Sequence, residues 1–67
     1  MKLDTLKLRS AMIQRGIKQR DLAQETNISY SMINAICCGR TCGFETAQKI
    51  AGALDMKLED LDALKEG

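Results

Sequence analysis

Side chains able to do covalent or metal chemistry are few in this sequence. It has no His, a single Tyr, and three cysteines at Cys37, Cys38 and Cys42. A structural zinc site wants four ligands, and the Cys-Cys-x-x-x-Cys run supplies only three thiolates. Neighbours such as Cys37 and Cys38 also point about 100° apart on a helix, so they cannot face one site. No metal and no cofactor is expected. Cys37 reads as a small core residue, and Cys38 and Cys42 as surface residues. No nucleophile–base pair and no phosphate-cradling loop is present, so no catalytic residue is expected. The methionines read as gap-fillers.

Recognition chemistry is better supplied. The stretch Gln19 to Gly39, QRDLAQETNISYSMINAICCG, reads as two short helices joined by a tight turn, the second opening on a serine. In that second helix Ile33, Ile36 and Cys37 follow the i, i+3, i+4 spacing of a buried face. Tyr30, Ser31, Asn34 and Ala35 are left on or near the open side, with Cys38. Asn34 can pair bidentately with an adenine edge and Ala35 can meet a thymine methyl, while Tyr30 and Ser31 suit bases or phosphates. A helix-turn-helix presents its second helix to the DNA major groove in this way. The face carries no Arg or Gln, so direct reading of guanine is weak and shape or phosphate contacts carry much of the affinity.

The elements that must position this stretch follow from caps and periodicity. Asp4 or Thr5 can cap a first helix running to about Arg15, with Leu8, Ala11 and Met12 on one face, and Gly16 stops it. Ile17 anchors the next loop. A second helix spans about Gln19 to Thr26 with Leu22 and Ala23 inward. Lys18 stands where a Ser or Thr cap would be preferred, and Asp21 compensates through the helix dipole. Asn27 suits the left-handed conformation of a three-residue turn, Ile28 plugs that turn into the core, and Ser29 caps the third helix, which ends at Gly39. A fourth helix, about Phe44 to Leu54, is expected to bury Phe44, Ala47, Ile50, Ala51 and Leu54, with Gly43 at its N-cap. Met56 leads into a last short helix carrying Leu58, Leu61 and Leu64.

Composition agrees with one small all-α domain. Hydrophobic residues make up 45% and charged residues 28% of 67 residues, with no Pro and no Trp. That balance argues against disorder and allows a single thin core. No apolar run approaches the roughly 20 residues of a membrane span, and MKLDTLKLRS lacks a signal-peptide core, so a cytoplasmic protein with reduced thiols is expected. The net charge of +1 hides an asymmetry. Residues 1–40 hold seven Lys/Arg against three acids, giving +4, and residues 41–67 hold three Lys against six acids, giving −3. The basic excess coincides with the helix-turn-helix.

The ordered set Gly16-Ile17, Gln19, Leu22-Ala23, Ile28-Ser29, Ile33, Ile36, Gly39-Arg40, Glu45-Thr46, Ile50-Ala51, Ala53-Leu54 and Leu58 to Leu61 resembles the lambda-repressor/Cro-like, or xenobiotic-response-element, helix-turn-helix family. The resemblance implies a compact five-helix bundle with the helix-turn-helix in its second and third helices. It implies that Gln19 donates to a DNA phosphate, that Tyr30 and Ser31 reach base edges, and that Arg40 contacts phosphate. Asn34 and Ala35, one turn further along, touch bases or backbone. The phosphate set is completed by Lys18, Ser29 and Thr41. Where the family carries an Arg and a Glu that bridge its first and third helices, this chain has Met12 and Cys37, an exchange the fold should survive.

The reading is a sequence-specific transcriptional regulator, a repressor, binding double-stranded DNA as a homodimer on a palindromic operator. No membrane partner and no small-molecule substrate is indicated. Leu58, Leu61 and Leu64 either close the bundle or form a dimer seam. The alternative is a protein-interaction module, an antitoxin or adaptor, using the same bundle without DNA.

Overall fold

Asp4 begins the helical part of the chain by accepting, through its carboxylate, the N–H groups of Leu6 and Lys7 at 3.0 and 3.2 Å. In the computed structural model, which describes residues 1–63, the helices are α1 (Thr5–Arg15), α2 (Gln19–Thr26), α3 (Tyr30–Cys37), α4 (Phe44–Ala53) and α5 (Leu58–Leu61). Each ends where the backbone chemistry requires it. Gly16 closes α1 in the left-handed conformation at φ 65°, and Asn27 closes α2 at φ 60°. These are the two residue types for which that region costs least. After α4 the turn is made by Asp55 at φ 54°, which the sequence pattern did not signal.

The α2 N-terminus is better finished than its Lys18 cap suggests. The Asp21 carboxylate accepts the Lys18 N–H at 3.1 Å, which is one arm of a capping box. The other arm cannot form, because an ammonium group has no lone pair to offer. Asp21 therefore works through a hydrogen bond as well as through the helix dipole.

α2 packs on α3 and α4, α4 on α5, and α1 on both α3 and α5. Leu8, Leu22, Ile33, Ile36, Ile50, Leu54 and Leu61 are fully buried between them. Met12 and Cys37 lie in this core as expected, at 6% and 1% exposure. The buried hydroxyl of Thr26 donates to the Leu22 carbonyl at 2.6 Å, and no buried side-chain N or O among the described residues lacks a partner.

One expectation is corrected and one alternative is decided. Phe44 is 60% exposed, because it sits in the first turn of α4 at the edge of the inward stripe made by Ala47, Ile50 and Ala51. The segment before α1 adds a core side chain that the sequence pattern did not signal, Leu3, which is 1% exposed. Leu3 forms an isolated antiparallel bridge with Asp62. Leu61 is completely buried, so it closes the bundle and is not on the surface for a dimer seam. Leu58 is half-buried against the same core, and Leu64 lies outside the described residues.

Candidate nucleic-acid interface

The turn between α2 and α3 is held from both sides. Ile28 donates its N–H to the Ala23 carbonyl at 3.1 Å and packs its side chain against the core. Ser29 Oγ accepts the Met32 N–H at 3.2 Å and starts α3. Buried Leu22, Ala23, Ile33 and Ile36 lock the two helices together behind it. The angle between α2 and α3 is thus fixed by apolar packing, and the outer face of α3 is free to present side chains.

That face holds what the periodicity assigned to it. Tyr30 is 56% exposed. Ser31 and Asn34 are exposed and Ala35 is half-buried. Tyr30 shares one open groove with Lys18, Gln19, Arg20 and Asp21, so the starts of α2 and α3 meet on the same side of the molecule. The first-turn amides of α2 add the positive end of a helix dipole there. Arg20, which sequence reasoning left out, lines this groove beside Lys18 and Gln19. Its signal was available: it is the basic residue of the first turn of α2.

Ser29 spends one lone pair on its cap, and its hydroxyl hydrogen remains to donate outward. Arg40 and Thr41 are exposed in the loop after α3. They stand at the opposite end of that helix from Lys18, Gln19 and Tyr30. Arg40 is not loosely hung, since its N–H donates to the Ala35 carbonyl at 3.0 Å. The expected set thus divides into a groove cluster at the α3 N-terminus, a reading face along the helix, and a basic residue at its C-terminal end.

Met12 and Cys37 make the apolar exchange expected, and a further link joins the same two helices. Arg9, one turn earlier on α1, donates Nε and Nη2 to the Cys37 carbonyl at 3.3 and 3.1 Å. Burial pushes the Cys37 thiol above its ordinary value, and the Arg9 charge partly opposes that. Burial likewise raises Cys42. The thiols are free, Cys37 buried, Cys38 exposed and Cys42 half-buried. Among the described residues no three His, Cys, Asp or Glu side chains gather as a metal site.

A helical bundle in which a Ser-capped α3 follows α2 across a tight turn has the architecture of the helix-turn-helix class. Residues 7–65 match the family described as the Cro/C1-type HTH DNA-binding domain, and the chain belongs to that family. No curated protein and no solved structure matches significantly. No described helix is long and apolar enough to cross a membrane.

Proposed function

We propose that this domain is a cytoplasmic, sequence-specific transcriptional repressor that inserts α3 into the major groove of a palindromic operator as a homodimer. The observation that carries the reading is the shared groove of Lys18, Gln19, Arg20 and Tyr30, which sets phosphate-binding chemistry beside the first exposed residues of α3. Asn34 and Ala35 are the adenine- and thymine-matched groups one turn further in. Arg40 and Thr41 serve phosphate at the far end. Repression follows from occupancy, because a domain seated in the groove excludes other proteins from the same stretch.

Pairing of two copies is supported by the apolar face that Met1, Phe44 and Leu58 form, flanked by Lys57, Glu59 and Asp62. Dimers of this class set two reading helices about 34 Å apart, matching one turn of DNA.

The test is duplex binding across salt, followed by selection of bound sequences from a random pool. Several phosphate contacts give a log–log slope of roughly −4 to −8 per dimer, and a slope near zero sinks the proposal. Arg40→Ala should weaken all sequences about equally, whereas Ser31→Ala should change preference at particular positions.

A protein-interaction module is the second reading, and one observation favours it. Leu6 and Ile13 are 77% and 80% exposed on the outer face of α1, seven residues apart and so nearly in line. Unchanged cellular function in a variant that has lost DNA binding would decide for it.

A further inference from the structure

The last carbonyls of a helix have no partner within it and must find one elsewhere. In α3 the chain that follows satisfies most of them. The Asn34 carbonyl accepts the Cys38 N–H at 3.1 Å, and the Ala35 carbonyl accepts both Cys38 at 3.1 Å and Arg40 at 3.0 Å. The Ile36 carbonyl accepts Gly39 at 3.0 Å. The Cys37 carbonyl is reached from another helix, by the two donors of Arg9 at 3.3 and 3.1 Å across a sequence separation of 28. By contrast, the side-chain hydrogen bonds of Asp4, Arg15, Asp21, Thr26 and Ser29 stay within their own helix or its cap.

A guanidinium at the C-terminal end of α3 gains twice. Its two donors form charge-assisted bonds to one acceptor, and its charge meets the negative end of the helix dipole. Arg9 also lines an open groove with Met12, Ile13, Ile17 and Gln19. The fork therefore fixes the end of α3 against a helix that is itself seated in the core.

We infer that Arg9 is a positioning residue for sequence reading, acting through the Cys37 carbonyl. It sets how α3 lies against α1 and holds the Cys38–Arg40 turn. Asn34 and Ala35 on the helix and Arg40 beyond it are thereby kept in one register relative to the groove. This rests on the DNA-binding reading above.

The experiment compares the wild-type chain with Arg9→Met, which keeps an aliphatic stem and removes the fork, and Arg9→Lys, which restores one donor. Binding to wild-type-selected duplexes and to random duplex is measured across salt. Amide exchange at Cys38, Gly39 and Arg40 is followed without DNA. Arg9→Met should lower the specific-to-random ratio about tenfold, the scale of a lost hydrogen bond to a charged group, and leave the salt slope unchanged. Arg9→Lys should recover part of that ratio, and exchange at the three amides should quicken in Arg9→Met. Equal weakening on all DNA with a slope smaller by about one would make Arg9 a phosphate contact instead. An unmoved ratio with only a lower melting temperature would make it a structural brace, and either result overturns the inference. If Arg9→Met does not fold, the ratio in Arg9→Lys decides. Absence of salt-dependent DNA binding in the wild-type chain would remove the reading itself, whatever the Arg9 variants do.

Discussion

Met1 and Cys42 exchange a reciprocal pair of hydrogen bonds, Met1 N to the Cys42 carbonyl and Cys42 N to the Met1 carbonyl, both at 2.8 Å. A few residues on, Asp4 donates to the Leu61 carbonyl at 2.6 Å and Ala63 donates to the Lys2 carbonyl at 3.0 Å. The segment before α1 therefore laces the loop after α3 to the end of α5. The loop it fastens is the one that carries Arg40 and Thr41.

Leu3 is the side chain that makes this lacing worthwhile, being 1% exposed in the core. Leu3→Ala should cost about 2–4 kcal/mol in urea unfolding, as for other large-to-small core changes. A change below about 0.5 kcal/mol would mean that the segment is dispensable to the core.

The α2–α3 turn has separable parts. Ser29→Ala removes the cap to Met32 N–H and should lose about 1 kcal/mol. Asn27 sits at φ 60°, so Asn27→Gly should be tolerated, whereas Asn27→Val should cost about 1–2 kcal/mol. Thermal unfolding of the three variants ranks them, and a stable Asn27→Val protein would contradict the left-handed turn.

Phe44 and Leu61 should behave oppositely. Phe44→Glu alters an exposed residue and should change monomer stability by no more than about 0.5 kcal/mol, while dissolving a dimer formed through that face. Leu61→Ala opens a fully buried site and should cost about 2–5 kcal/mol. Sedimentation of Phe44→Glu at several concentrations reads the first effect. A dimer that survives it places the pairing surface elsewhere.

Alkaline pH should lower the stability of this domain through its buried thiols. Burial raises Cys37 and Cys42 above the ordinary value of 9.0, so the folded chain holds these protons more tightly than the unfolded chain. Stability is then fully present below pH 9 and is lost as the pH rises through the folded-state values. Unfolding free energy followed upward from neutral pH should fall there, and less steeply in Cys42→Ala. Alkylation of the native protein should label exposed Cys38 before buried Cys37.

Local features were legible because their physics is local. Asp4, Gly16, Asn27 and Ser29 each act on backbone groups within a few residues, and helix formation follows the 3.6-residue apolar period. The outward set Tyr30, Ser31 and Asn34 came with that period. Less legible were the groups whose partners lie far along the chain. Leu3 precedes any periodic segment, Phe44 lies at the edge of its stripe, and Arg9 looks like any basic residue of an exposed helix face.

By itself, then, the sequence determined five helices, the caps at Gly16, Asn27 and Ser29, the helix-turn-helix and the side of α3 that faces outward. Each of these follows from spacing and backbone chemistry over one or two turns. Only the tertiary structure decided that Leu3 enters the core while Phe44 stays exposed, and that Arg20 joins the groove of Gln19 and Tyr30. It also decided that α1 grips the end of α3 through Arg9. Those outcomes depend on which surfaces meet when helices pack, and a pattern read along one helix does not specify its neighbour.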